Sequence, residues 1–230
     1  MTNMKKIELV VFDMAGTTID EDNLVYKTVQ KVINEEGYHV TLEEVLQFGA
    51  GKEKLQAIKD VLHHCTEEQD VISPSEKIFE NFKQALGKAY SEIKVKPVNG
   101  VAELFERLKK RGVKIALNTG YDAVTAGTLL QQVDWKVGHE VDALVTASDV
   151  VNGRPSPDMI RKAMELLSIS NPEAVLKAGD SDIDIEEGKN AGCGITVGVL
   201  SGAQTREQLQ LANPDYILES LAEVDQIIQD

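Results

Sequence analysis

The chain has 230 residues, 42% hydrophobic and 27% charged, enough for one large domain or a core with a smaller domain attached. Its formal net charge of −14 argues against a nucleic-acid partner, because phosphate contacts need clustered Lys and Arg, and it disfavours an anionic membrane surface. No apolar run reaches the ~18 residues of a membrane span. Met1–Ile7 has no signal-peptide pattern, and Cys65 and Cys193 read as intracellular thiols. A cytoplasmic protein is therefore expected, acting as a monomer or homodimer.

Lys6–Phe12 is the first predicted strand, and its apolar, β-branched run from Leu9 to Phe12 marks it as buried. It ends in Asp13, followed by the small-residue turn Met14-Ala15-Gly16-Thr17-Thr18. From about Leu24 to Tyr90 the periodicity is helical throughout. Val25, Val29, Val32 and Ile33 mark one helix, closed by Gly37. Thr41 and Glu44 form a capping-box signature for a second, broken by Gly49-Ala50-Gly51. Leu55, Ile58, Val61 and Leu62 mark a third, and Ser75–Tyr90 a fourth. His63 and His64 are adjacent and so point to different faces of the third helix; no patterned further ligand accompanies them.

Beyond Pro97 strands and helices alternate. Strands are predicted at Val113–Leu117, Ala143–Thr146, Val175–Ala178 and Gly194–Val199, with a possible edge strand at Asp215–Ile217 before a C-terminal helix. Helices fall at Gly100–Gly112, Asp122–Val133, Asp158–Leu167, Ile185–Asn190 and Thr205–Ala212. The expected fold is α/β, a Rossmann-like parallel sheet with helices on both faces, plus an inserted all-helical cap. Residues 1–18 and 95–230 form the core in this reading, and residues 19–94 the cap.

The ends of successive strands carry Asp13, Thr119, Arg154 (in Gly-Arg-Pro) and the pair Asp180/Asp184. Each has an ordinary reading taken singly: a turn, a loop charge, acids at a helix start. A parallel sheet brings strand ends together, however, and carboxylates beside a hydroxyl and a cation suit Mg²⁺-assisted phosphoryl transfer.

These four segments resemble the motifs of the haloacid dehalogenase-like hydrolases, across essentially the whole chain. The resemblance implies that Asp13 is the nucleophile forming an aspartyl-phosphate, Thr119 the phosphate-binding hydroxyl, and Arg154 the basic residue that steadies nucleophile and phosphate. It implies Mg²⁺ held by Asp13, the Ala15 carbonyl, Asp180 and Asp184. Ala15 replaces the Asp that serves most phosphatases of the family as general acid, a loss typically worth ~10²–10⁴-fold. Asp-x-Ala-Gly-Thr-Thr is instead similar to the phosphonatase (phosphonoacetaldehyde hydrolase) branch, where a cap lysine forms a Schiff base that lets a C–P bond break.

Gly49-Ala50-Gly51-Lys52 resembles the segment bearing that lysine, which makes Lys52 the candidate, with Lys54 as the fallback amine. A helix start lowers an ammonium pKa, in keeping with that role. Thr17, Gly120, Tyr121 and Phe48 are the expected substrate contacts. Met14, Asn23, Phe48 and Leu55 depart from the branch, replacing Trp, Cys, Met and His respectively. The expected substrate is a small phosphonate or phosphorylated metabolite. Phosphate-monoester hydrolysis of the phosphoglycolate phosphatase type is the alternative. A carbon–halogen hydrolase is disfavoured by the Asp180/Asp184 acids. A receiver-like phospho-binding module would be half this length and lack the helical insertion.

Overall fold

The structure, a computed structural model, describes residues 6–228. Residues 1–5, most of the stretch inspected for a signal peptide, and 229–230 lie outside it. Strand β1 (Leu9–Asp13) is buried over its whole length. The two-residue side-chain period splits it between two cores. Val10 and Phe12 join the larger apolar cluster, and Leu9 and Val11 join a second with Met159, Ile160 and Ala163. That double burial is why the segment reads as a continuous hydrophobic run.

Four further strands flank it: β4 (Lys114–Thr119), β5 (Ala143–Thr146), β6 (Val175–Gly179) and β7 (Ile195–Val199), with β8 (Tyr216–Leu218) at one edge. The order is β5-β4-β1-β6-β7-β8, and every pairing is parallel. The connections run outward from β1 to one side, then return to its other side, so the crevice beyond the end of β1 is a topological switch point. Helices α5 (Val101–Lys110), α6 (Ala123–Gln132), α7 (Asp158–Leu166), α8 (Asp182–Ala191) and α9 (Arg206–Leu211) alternate with these strands. The α/β expectation is met. The C-terminal segment is a 3₁₀ turn over Leu221–Gln226 rather than an α-helix. Its buried side chains, Leu221 and Val224, are three apart, the spacing that eclipses in 3₁₀ geometry.

The helical insertion comprises α1 (Leu24–Glu35), α2 (Leu42–Gly49), α3 (Lys54–Cys65) and α4 (Ile72–Glu92). The Thr41–Glu44 capping box is formed in both directions, Glu44 N–H donating to Thr41 Oγ1 and Thr41 N–H to Glu44 Oε2. Helix α4 starts earlier than predicted because Pro74 falls in the first turn, where a missing N–H costs nothing. Two short strands, β2 (Ile19–Asp20) and β3 (Lys96–Pro97), pair antiparallel where the chain enters and leaves the helices. At two residues each, no pattern announces them. Among the described residues no helix is long and apolar enough to cross a membrane.

Candidate active site

Asp13 closes β1 and is almost fully buried. The following turn folds back on itself, with Thr18 and Ile19 N–H both donating to the Met14 carbonyl and Thr18 Oγ1 donating to the Asp13 carbonyl at 3.0 Å. Gly16 takes φ +76°, and a Cβ there would strike the Asp180 carboxylate. Glycine is thus required twice over, by conformation and by close approach.

Arg154 reaches this point from the loop before α7, its side chain 3% exposed. Its Nη1 lies 2.7 Å from Asp13 Oδ1 and 3.0 Å from Asp184 Oδ1, and its Nε lies 3.2 Å from Glu187 Oε2. Nη2 donates to the carbonyl and side-chain oxygens of Asn118 at 2.8 and 2.9 Å. A second cation, Lys177, is fully buried on β6, 2.8 Å from Asp184 Oδ1 and 3.5 Å from Glu187 Oε2, and donates to Asn118 Oδ1. Asn118 completes the ring by donating to Glu187 at 2.9 Å. Lys177, Glu187 and Asn118 were not singled out from sequence. The signal was present: a lysine within a doubly buried strand demands carboxylate partners, and Glu187 lies one helical turn beyond Asp184.

Burial raises the Asp13 pKa, opposed by Arg154 and reinforced by Asp184. Asp180 is pushed well above its usual range by burial and by the charges of Asp13 and Asp184. Burial acts on Asp184 too, but Arg154 and Lys177 outweigh it and hold that carboxyl low. Ligand oxygens of Asp13, Asp180 and Asp184 all lie within 4.8 Å of one another. Four buried carboxylates, Asp13, Asp180, Asp184 and Glu187, gather around the two cations paired with them, Arg154 and Lys177, with Lys54 as the one further buried cation bordering the site among the described residues. That excess of negative charge, concentrated on three convergent oxygen donors, fits a hard divalent cation.

About 20 Å³ of free space remains beside Asp13, bounded on the core side by Ala15, Thr119, Gly120, Tyr121, Arg154 and Asp180. Thr119 is buried, and its Oγ1 accepts from Tyr121 N–H at 3.2 Å. The helical insertion closes the space with Tyr26, Gly51 and Lys54. Gly51, at φ +73°, presses on the core so closely that a Cβ would collide with Ser181. Its N–H donates to the Tyr26 hydroxyl at 3.0 Å.

The amine at this site is Lys54. Helix α3 begins at Lys54 with Glu53 as its N-cap, so the helix-start position belongs to Lys54, not Lys52. Lys54 is 7% exposed; its Nζ donates to the Lys52 carbonyl at 2.6 Å and lies 5.2 and 5.9 Å from the ring centres of Tyr26 and Tyr121. Burial lowers its pKa, partly offset by Asp13. Lys52 instead pairs with Asp60 at 2.5 Å, its side chain 31% exposed. Phe48 stacks on His64 with ring centres 4.7 Å apart, and it does not border the space. Nor does Thr17, which is fully buried with a hydroxyl that has no hydrogen-bond partner among the described residues. Glu21, not foreseen, is buried behind the site and accepts from the Tyr90 hydroxyl at 2.5 Å.

A model of the haloacid dehalogenase-like hydrolase family matches residues 10–198. Phosphonoacetaldehyde hydrolase from Bacillus mycoides (strain KBAB4) is 31% identical over 234 residues, spanning 94% of this chain and 86% of its own. The enzyme of the same name from Bacillus cereus (strain G9842) is 33% identical over 212 residues, spanning 86% and 77%. Among solved structures, a phosphonoacetaldehyde hydrolase-like protein from Oleispira antarctica superposes with a TM-score of 0.83 at 24% identity, covering 97% of this chain and 92% of that one. A hydrolase from Pseudomonas syringae gives 0.82 at 21%, covering 96% and 100%. At those identities the two structures speak to the fold alone.

Proposed function

The chain belongs to the haloacid dehalogenase-like hydrolases, and from that premise we propose that it is a phosphonatase-like, Mg²⁺-dependent hydrolase of small phosphonates or phosphorylated metabolites. Residues 19–94 serve as the cap over a core of residues 1–18 and 95–230. The observation that carries the reading is the meeting of Lys54 with Asp13 and Arg154 around one small space, in a site where position 15 has no acid.

Asp13 is the nucleophile. Its attack forms an Oδ–P bond while the bond from phosphorus to the leaving atom breaks, and the electron pair departs with the leaving group. Arg154, 2.7 Å away, keeps Asp13 ionised and aimed, and its remaining contacts with Asp184, Glu187 and Asn118 fix its own position. Thr119 and the Gly120 backbone receive the phosphoryl oxygens. Asp13, Asp180, Asp184 and the Ala15 carbonyl would hold Mg²⁺. Bound there, the ion supplies positive charge that offsets repulsion between a carboxylate and a phosphate or phosphonate anion.

Ala15 cannot protonate a departing alkoxide. For a 2-oxoalkyl phosphonate that proton is unnecessary if Lys54 has first condensed with the carbonyl, releasing water and leaving an iminium. The C–P electron pair then flows into the iminium to give an enamine, which water later hydrolyses to the carbonyl product and free amine. A lysine made less basic by burial supports this role, because the condensing species is the neutral amine. Phosphate-monoester hydrolysis is the competing reading, favoured by the departures at Met14, Asn23, Phe48 and Leu55.

Borohydride reduction during incubation with phosphonoacetaldehyde separates the two. The expected result is a reduced adduct on the peptide bearing Lys54, with phosphate released in its absence. No adduct, together with phosphate release from simple monoesters, would discard the C–P reading.

A further inference from the structure

Beyond the small space at Asp13 lies a second cavity of about 440 Å³, between α4 of the cap and the start of α6 of the core. Its volume is within the ~300–1,000 Å³ typical of ligand pockets. Lys54, Gly120 and Tyr121 border both cavities, so they form the partition between them. The chamber's cap wall is apolar: Phe79, Phe82 and Leu86 stand on one stripe of α4, and the rings of Phe79 and Phe82 stack at 6.2 Å. Lys54 apart, the charged groups around it are already engaged. Glu53 and Asp122 each accept from backbone N–H groups as helix caps, and Lys83 pairs with Glu80 at 2.7 Å.

Two residues at its border bear on what it holds. Val124, on the core side, is 79% exposed, an apolar side chain left facing the cavity's surroundings. Gly87 sits inside the 21-residue helix α4, where glycine costs about 1 kcal/mol relative to alanine. No close neighbour excuses it, because a Cβ there would meet nothing within 4 Å. Both residues border the chamber, and a side chain at 87 would take up its volume.

We infer that this chamber receives the organic part of the substrate, and that the natural substrate carries an uncharged, apolar alkyl or aryl substituent beyond the carbon joined to the phosphoryl group. The inference rests on the phosphohydrolase reading above and specifies its substrate class. The phosphoryl group lies at Asp13 and Arg154, the first carbons pass Lys54 and Tyr121, and the remainder desolvates against Phe79, Phe82 and Leu86. Beyond the partition formed by Lys54, a substituent with a second anionic group would meet one lining cation, Lys83, which is already paired with Glu80.

The test is calorimetric binding of n-alkylphosphonates, methyl to hexyl, to the full chain with Mg²⁺, alongside turnover of the matching alkyl phosphates and phosphonoacetaldehyde. Each methylene that enters the chamber should tighten binding about fourfold, the factor corresponding to the transfer energy of one buried CH₂. Gly87→Leu should flatten that series. Methylphosphonate binding with a flat series in the wild type would overturn the inference and leave the hydrolase reading standing. A series equally steep in Gly87→Leu, with its melting temperature retained, would also overturn it. No phosphonate binding and no turnover of any compound would overturn the hydrolase reading, and this inference with it.

Discussion

Glu21 stands at the end of the β2–β3 ribbon where the chain enters and leaves the helical insertion, 4% exposed, with its carboxylate accepting from the Tyr90 hydroxyl. Burial lifts its pKa from an ordinary 4.5 to about 7; hydrogen bonds from Tyr90 and the Val25 backbone, and the charge of Lys54, pull the other way without cancelling it. Between pH 4.5 and 7 the unfolded chain therefore ionises Glu21 while the folded chain still holds the proton. Its stabilising contribution is complete below pH 4.5 and is lost as pH rises through about 7. At about 1.4 kcal/mol per pH decade the loss amounts to about 3 kcal/mol, with little screening to discount at this burial. Glu21→Gln keeps the shape and an oxygen acceptor for Tyr90 while removing the titration. Urea unfolding of both proteins from pH 4.5 to 8.5 should show the wild type losing about 3 kcal/mol relative to the variant, with the difference levelling off above pH 8. Tyr90→Phe, which deletes a bond that favours the ionised form, should move the transition to higher pH. Stability curves for wild type and Glu21→Gln that stay parallel within about 0.5 kcal/mol would refute the reasoning.

Replacing Asp13 by Asn should lower steady-state turnover by at least about 10⁴-fold, as for loss of other enzymatic nucleophiles; phosphate-release assays that find unchanged activity would reject the nucleophile assignment. Lys54→Ala should cut kcat/KM by ~10²-fold or more, whereas Lys52→Ala removes only a partly exposed ion pair with Asp60, worth ~0–1 kcal/mol, and should leave kcat/KM near wild type. The reverse ranking would restore Lys52 as the reactive amine. Lys177→Met leaves Asp184 and Glu187 short of a buried counter-charge and should cost about 3–5 kcal/mol in urea unfolding. Chelation with EDTA should abolish turnover, with Mg²⁺ restoring it, and should lower the melting temperature by calorimetry as the three acids lose their shared cation.

The core half of this site was legible because main-chain register places it. Once the strand pattern implies a parallel sheet, Asp13, Thr119 and Asp180 must meet, since each sits at or just past a strand end and adjacent strands are only ~4.8 Å apart. No side-chain packing needs to be known for that deduction. Buried partners such as Lys177 and Glu187 are harder to see. A lysine in an apolar strand is visible, but its acid lies on another element, and only the fold says which one. The cap is different in kind. Lys52 and Lys54 are two residues apart, one before the helix and one at its first position, and which of them turns inward depends on where α3 starts. That start is fixed by Glu53 accepting from the Leu55 and Gln56 N–H groups, a local event that the apolar stripe does not predict. Likewise the meeting of Glu21 and Tyr90 spans 69 residues of sequence and has no period to betray it. The same division separates chemistry from specificity. Residues that would handle phosphorus are tied to strand ends, where geometry follows from topology. Residues that would handle the rest of the substrate sit on cap helices, where one residue of slippage changes which side chain is presented. Ala15 links the two halves: in the proposed reaction the acid missing on the core side would leave the leaving group to Lys54, across the cavity.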